Sequence, residues 1–384
     1  MKVVVINPTY NERENIGPLI EEEQKVFKKI SKHEMYILVV DDSSPDETHK
    51  VVEEKMKKYT NVHLAIGGKQ GLGAAYIRGM DYAINQMGAD VIFEMDADFS
   101  HDPLKIPEFL EKINEGYDFV IGSRYIKGGS IPANWGIHRK IFSVLGNLLV
   151  RFILGRFQVH DWTGGFRAVR KEFFQKTHEK LYGFAGYTFQ VGFLYYSLLA
   201  GAKVAEVPIN FVDRKYGKSK IAPLNYIITL LFYVTKMRIA ELWGRFAKFL
   251  AVGGVGFIIN AVVLRVGVEN LKWAPAPANL AGAALAIFSN FNGNNLWTFR
   301  ERRITSFLDY LKKLIQFYAT SSFGVIVIQT GTIWLGDNLF GRRLYFLYFL
   351  FGTGLLLIWN FTMYNTVIWR KKHVEKTPEL GLKS

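Results

Sequence analysis

Residues 93–102, FEMDADFSHD, run from an apolar stretch straight into Asp96-Ala97-Asp98. Two carboxylates at i and i+2, where a buried strand ends, can share one hard divalent cation. That cation can screen a diphosphate leaving group, because Mg2+ and Mn2+ prefer oxygen ligands and substrate phosphates. The same triplet in a loop is often an ordinary turn or cap. Its place after a hydrophobic strand, with four further strand-like segments around it, favours the cation-binding reading.

Other candidate groups also follow strand-like runs. Pro8-Thr9-Tyr10-Asn11-Glu12 reads either as a helix-entry turn or as a turn offering backbone groups and an aromatic face to a nucleobase, with Glu12 for polar contacts. Val40-Asp41-Asp42-Ser43-Ser44-Pro45-Asp46 places one carboxylate to accept hydrogen bonds from a base or ribose, and Asp46 is expected to cap the next helix. Gly67-Gly68-Lys69-Gln70-Gly71-Leu72-Gly73 is glycine-rich, basic and opens a helix. It reads either as a phosphate cradle or as a loop that lets the backbone pass close to a nucleotide. It lacks the Gly-Lys-Ser/Thr of a P-loop and follows the third strand, where a dinucleotide fingerprint should follow the first.

The elements that must position these groups alternate from the start. Strands are expected over Lys2–Asn7, Met35–Asp41, Val62–Ile66, Asp90–Met95 and Phe119–Gly122, with helices near Asn15–Ile30, Asp46–Tyr59, Ala74–Met87 and Lys105–Asn114. Near-continuous apolar strands alternating with helices imply a parallel sheet covered on both faces, whose ligands bind beyond the carboxyl ends of the strands. The opening residues MKVVVINPTY read as a core strand and not a signal peptide, so this domain is expected to stay where it is made.

The 384 residues suffice for two domains; 49% are apolar and 15% aromatic, and the apolar excess concentrates in residues 246–369. There is no cysteine, which excludes disulfides and thiolate metal sites. The net charge of +14 does not imply nucleic acid, because many basic residues flank apolar helices, where they suit anionic lipid headgroups and topology. Ile137–Phe157 and Pro223–Leu242 have apolar faces broken by Arg and Lys and are expected to lie in a membrane interface. Four spans are expected near 246–268, 275–297, 314–335 and 344–369. The connection Phe299–Lys313 holds five basic residues and the tail adds Lys371, Lys372 and Lys376, which places the first domain, that connection and the C-terminus in the cytoplasm. No solenoid-type repeat is visible.

In order along the chain, PTYNE, VDDSSPDET, the glycine loop with AYIRG, DADFSHDP, GSRY, GGFRA and EVPINFVDRKYGKSK resemble the polyprenol-phosphate glycosyltransferases of the dolichol-phosphate mannose synthase type, inverting family-two enzymes with a GT-A fold. The resemblance covers roughly residues 1–225. The remainder, with KFLAVGGVGFIIN and FSNFNGNNLWTF, is similar to the GtrA-like membrane domain. The implied domains are a catalytic domain over 1–222, an interface helix and linker over 223–244, a four-span domain over 245–370 and a basic tail over 371–384.

The resemblance also implies roles. Pro8, Tyr10, Glu12, Val40 and Asp42 would hold the nucleoside. Asp96 and Asp98 would bind Mg2+ or Mn2+ and the diphosphate, with a backbone contact from Ala97. Ser100 stands where the family commonly has Gln, and its hydroxyl can reach a metal directly or through water. Arg124 would meet the donor or acceptor phosphate, and Arg139, Ser143, Arg214 and Lys220 the lipid phosphate, which a bidentate guanidinium suits better than a point charge. Asp161 would position the acceptor or touch the donor sugar. The implied reaction transfers a sugar, mannose from GDP-mannose foremost, to dolichyl or polyprenyl phosphate in the bilayer. The anionic acceptor attacks without a dedicated base, and inversion gives a β-linked product. Other readings are the same reaction with a UDP-sugar and a lipid-phosphosugar flippase with a regulatory soluble half. A processive polysaccharide synthase would carry a Gln-x-x-Arg-Trp motif, which is missing here. The residues leave oligomeric state open.

Overall fold

The computed structural model describes residues 1–182, 184, 187–213, 223–341 and 344–370. The chain divides into two compact units, Met1–Arg238 and Ile239–Ser384.

The first unit is built on strands β1 (Lys2–Thr9), β2 (Glu34–Asp41), β3 (Val62–Ile66), β4 (Val91–Glu94), β5 (Phe119–Ser123), β6 (Arg167–Arg170) and β7 (Val204–Pro208). They form one sheet in the order β3-β2-β1-β4-β6-β5-β7. Only β6 runs antiparallel to its neighbours, β4 and β5. The five expected strands are present; β6 and β7 are additions. Between them run α1 (Arg13–Phe27), α2 (Thr48–Lys58), α3 (Leu72–Asn85), α4 (Ile106–Asn114), α5 (Ile137–Leu154), α6 (Lys171–Thr177) and α7 (Tyr187–Leu199). Alternate strand residues feed two cores: Val4, Ile6, Leu38 and Val40 face α3 and α7, while Val3, Val5, Ile37 and Val39 face α1 and α4. This two-sided burial explains the continuous apolar runs.

Pro8 is tolerated in central β1 because the β1–β4 ladder ends at Ile6 and Glu94, before a proline would be asked for an N–H. The close approach of α3 to the sheet depends on Gly79, where a Cβ would stand 2.8 Å from both Ile6 and Val40 side chains. Among the described residues, one face of α5 is left uncovered: Ile137 and Phe152 are 77% and 73% exposed, and Ile141, Leu145 and Leu148 are also exposed. The expected second interface helix and first span form one continuous helix, α8 (Pro223–Glu269). Leu230, Val234 and Met237 of α8 join the first unit's core.

The second unit continues with α9 (Pro275–Gly293), α10 (Phe307–Phe323), α11 (Thr330–Phe340) and α12 (Tyr345–Met363). Among the described residues, Ile228–Glu269 and Phe307–Ile328 are long and apolar enough to cross a membrane. The expected segments 275–297 and 344–369 are occupied by α9 and α12, each prolonged by one π-helical turn, Asn294–Thr298 and Tyr364–Ile368.

Those two turns reveal an internal repeat of a helical hairpin. Phe249, Gly256 and Asn270 recur 68 residues later as Phe317, Gly324 and Asn338. Gly282, Asn290, Phe291, Asn295 and Arg300 recur 70 residues later as Gly352, Asn360, Phe361, Asn365 and Arg370. The geometry repeats too. Phe299 N–H donates to Asn294 O at 2.8 Å, and Trp369 N–H to Tyr364 O at 2.9 Å. The Phe249–Phe361 contact (5.8 Å between centroids) has its counterpart in Phe317–Phe291 (5.5 Å), as an internal two-fold requires. The equivalent residues Phe299 and Trp369 stack on each other, 4.7 Å apart and 8° from parallel.

Candidate active site

The carboxyl ends of β1, β2, β4 and β5 bring most of the expected groups to one edge of the sheet. On β1 and β2, Thr9 Oγ1 donates to Asp41 Oδ1 (2.9 Å), and the Ser44 N–H donates to Asp41 Oδ2 (2.9 Å). Asp41 is therefore a buried tie between two loops. Asp42 is the outward member of the pair and is bound by Arg78 of α3. Lys69, from the glycine loop, lies over the Tyr10 ring at 3.6 Å. Gly71, at φ 96°, starts α3, and Gly67 leaves the space taken by the Arg78 guanidinium. Glu12 accepts from Asn15 Nδ2 (2.6 Å) at the entry to α1.

Two expectations shift. The Val40 side chain is fully buried against Gly79, so that position can meet a nucleoside only through its backbone. The cap of α2 is Glu47, at φ 62°, one residue past Asp46. Asp46 still satisfies the first turn by accepting from Thr48 N–H at 3.1 Å.

Beyond β4, the Asp96-Ala97-Asp98 turn is folded back tightly. Ser100 N–H donates to Asp98 Oδ1 (3.0 Å), Phe99 is left-handed at φ 63°, and Asp96 N–H donates to His101 Nδ1 (3.2 Å). An accepting Nδ1 places the His101 proton on Nε2, and burial lowers its pKa further from the charged form. Ala97, Asp98, Ser100 and His101 are buried. Tyr76 of α3 donates its hydroxyl to Asp96 Oδ1 at 2.8 Å. Glu94, at the end of β4, is fully buried, and burial raises its carboxyl to about 7 against the pull of Arg167.

Arg124 follows β5 and is held by Asp161 through two side-chain bonds, Nε to Oδ2 (2.7 Å) and Nη2 to Oδ1 (2.8 Å), with Thr163 Oγ1 at 2.8 Å. Burial, the largest influence on Asp161, pushes its carboxyl up, but Arg124 and the backbone N–H donors outweigh it and hold the pKa below the ordinary value. Asp161 is thus an ionised anchor for Arg124. Its backbone N–H in turn donates to Glu206 Oε1 (3.0 Å) on β7.

Phe211 joins these groups. Arg124 lies 5.5 Å from its ring, His101 6.0 Å and Trp135 5.9 Å. Arg139 stacks on Trp135 at 3.9 Å and pairs with Asp213 at 3.3 Å, while Trp135 Nε1 donates to the same Asp213 oxygen at 2.8 Å. Ser143 and Tyr125 share a 2.6 Å hydroxyl bond one helical turn along α5. Arg214 and Lys220 lie outside the described residues. Sequence reasoning gave no role to Tyr76, Phe211, Trp135 or Asp213. Tyr76, Phe211 and Asp213 stand within quoted motifs, but which partner each reaches depends on the fold.

The donor set suits a hard cation. Asp96 and Asp98 would supply oxygen ligands, and Gly165 packs beside them, where a Cβ would stand 3.5 Å from Asp96 Oδ2. No cluster of three or more His, Cys, Asp or Glu occurs among the described residues. A cation here would draw its other ligands from water and a diphosphate, as Mg2+ and Mn2+ do.

Comparison with known proteins agrees with this architecture. The family description "Glycosyl transferase family 2" matches residues 4–177, and "GtrA/DPMS, transmembrane domain" matches 248–369. The dolichol-phosphate mannosyltransferase of Pyrococcus furiosus is 34% identical over 85% of this chain and 88% of its own. The polyprenol monophosphomannose synthase of Mycolicibacterium smegmatis is 38% identical over 58% of this chain and 82% of its own. The undecaprenyl-phosphate mannosyltransferase of Micrococcus luteus is 36% identical over 63% of this chain and 96% of its own. The chain is a glycosyltransferase and belongs to the family-two polyprenol-phosphate mannosyltransferases that carry a GtrA-like transmembrane domain.

Proposed function

We propose that this protein transfers mannose from GDP-mannose to dolichyl or polyprenyl phosphate, inverting the anomeric carbon, on the cytoplasmic side of a membrane. The observation that carries the reading is the gathering of three charged groups around Phe211: the Asp96–Asp98 turn through His101, Arg124 directly, and Arg139 through Trp135. Two anionic reactants must meet at such a site, and their mutual repulsion is the main electrostatic obstacle.

Tyr10, Glu12 and Asp42, with the backbone at Pro8 and Val40, would receive the nucleoside. Asp96 and Asp98, supported by Ala97 and Ser100, would hold Mg2+ or Mn2+, which supplies charge neutralisation for the departing diphosphate. Arg124, aimed by Asp161, presents a guanidinium to donor or acceptor phosphate. Arg139, Ser143, Arg214 and Lys220 would take the lipid phosphate. Since that phosphate is already anionic, these side chains need only hold it in line behind the sugar, and no proton has to be removed. The uncovered apolar face of α5, which carries Arg139, suits burial among lipid acyl chains and would keep that guanidinium at headgroup depth. The α8–α12 region would cross the bilayer four times.

The test is a donor panel. Purified protein, polyprenyl phosphate and radiolabelled GDP-mannose, UDP-glucose or UDP-galactose are compared with Mn2+, Mg2+ or EDTA. Metal-dependent labelling of lipid from GDP-mannose is expected. Equal or greater labelling from a UDP-sugar would overturn the donor assignment, and full activity in EDTA would overturn the metal.

A further inference from the structure

Tyr76 stands apart from the residues given roles so far. It is a fully buried tyrosine on α3, 20 positions before the carboxylate it touches. Its place is fixed from both sides. At Gly79 a Cβ would stand 2.8 Å from Ile6 and Val40; at Gly73 one would stand 2.9 Å from Phe184 O and 3.0 Å from Phe189 Cβ. The Tyr76 ring stacks on Phe189, 6.1 Å between centroids and 6° from parallel. A helix seated that closely on β1, β2 and Phe189 leaves the Tyr76 ring little room to move.

The hydroxyl donates to Asp96 Oδ1 at 2.8 Å, the first carboxylate of the Asp96-Ala97-Asp98 turn. The phenol therefore fixes the rotation of the Asp96 carboxylate at the turn where a cation and diphosphate would sit. A carboxylate oxygen can only accept, so the phenol is the donor in this bond and its direction is fixed.

We infer that Tyr76 is a positioning residue, which orients the Asp96 carboxylate for the divalent cation and so sets metal affinity. The inference rests on the proposed metal site. Outer-shell hydrogen bonds to metal-ligating carboxylates typically alter affinity or activity by 10–100-fold.

The experiment compares wild type with Tyr76→Phe, titrating Mn2+ by electron paramagnetic resonance with and without GDP, and measuring transfer across a Mn2+ series. In the variant, Mn2+ binding is expected to weaken by about 10-fold. The Mn2+ concentration for half-maximal activity should rise in step, with turnover largely restored at saturating metal and the metal-free melting temperature unchanged. Adding Tyr76→Phe to Asp96→Asn should weaken Mn2+ no further, because the phenol acts through that carboxylate. If wild type fails to bind Mn2+ with GDP, the metal reading falls and this inference with it. If wild type binds and Tyr76→Phe binds equally well, only this inference falls. Should Tyr76→Phe not fold, Phe189→Leu replaces it. That variant loosens the ring but keeps the hydroxyl, and is expected to weaken Mn2+ in the same direction; unchanged binding there also overturns the inference.

Discussion

The two units differ in what the polar side chains at their characteristic sites do. At the candidate site of the first, one side chain aims another: Asp161 holds Arg124, Tyr76 holds Asp96, Arg78 holds Asp42 and Asp213 holds Arg139. At the helix ends of the second, side chains close off backbone. Arg302 Nη1 donates to the carbonyls of Asn365 and Trp369 (both 3.0 Å), and Asn295 exchanges bonds with both backbone groups of Ile304. A helix end near lipid has no water to satisfy it, so the chain must do so itself. The hairpin repeat applies one such ending twice, at Phe299 and Trp369. Aimed carboxylates and guanidinia mark the unit that does chemistry; repeated caps mark the unit that endures a bilayer.

The largest expected effect would separate the two. Asp98→Asn keeps an acceptor for the Ser100 N–H but removes the charge, and should lower mannosyl transfer to lipid by about 10³-fold. The melting of the helical unit should stay as it was. Transfer above one-tenth of wild type, measured with radiolabelled donor at saturating Mn2+, would remove the contrast. The converse change is Trp369→Ala, which breaks the stack with Phe299 and the bond from Trp369 Nε1 to Asn295 Oδ1 (3.0 Å). It should cost the helical unit about 3 kcal/mol, read from detergent melting, with little change in turnover while the protein stays folded. A large loss of turnover below the melting transition would show that the repeat takes part in the chemistry.

Part of this organisation was legible before the fold was known, and the misses have particular causes. Three of the expected strands, β1, β2 and β4, announce themselves because burial on both faces makes Val3–Ile6, Ile37–Val40 and Val91–Phe93 continuous apolar runs. β6 carries the fully buried Arg167, whose guanidinium is satisfied by the carbonyls of Gly164 and Trp162, and such a strand gives no alternating signal. α8 looks like two helices because Lys236, Arg238 and Arg245 interrupt its hydropathy. The backbone runs on, and Arg245 is neutralised by Glu241 (2.7 Å) and Glu301 (2.9 Å). The hairpin repeat escapes a search for short periods because it is longer than a solenoid unit and the offset changes from 68 to 70 residues between its two helices. At the site, Asp96 and Asp98 stand out because strand ends are where such a sheet binds ligands, whereas Asp42 and Arg124 are singled out by the resemblance of their motifs. Tyr76 and Phe211 do not, since an aromatic in an apolar helix or strand-end reads as core until its hydroxyl or edge is seen to meet a charge.

The smallest expected effect tests the first unit's interior away from its carboxylate pair. Glu23 of α1 is fully buried, accepts from Asn7 Nδ2 at 3.1 Å, and has its carboxyl raised by burial from 4.5 to about 8. Above pH 4.5 the unfolded chain releases this proton while the folded chain keeps it, so the folded state binds more protons and stability falls until about pH 8, where the loss levels off. Glu23→Gln keeps an acceptor for Asn7 and removes the titration. The variant should match wild type near pH 4.5 and exceed it at pH 8.5 by on the order of a few kcal/mol, read from the first unit's melting at both pH values. A gap that does not widen with pH would mean that Glu23 is charged in the folded protein. Glu94 is the poorer probe, although burial raises it to about 7, because it stands two residues before Asp96 and its replacement would disturb the carboxylate pair itself. Glu23 reaches the sheet through Asn7, whose second bond is to the Met95 carbonyl at 3.2 Å, so its titration reports the packing beneath the site while leaving the site's own charges in place.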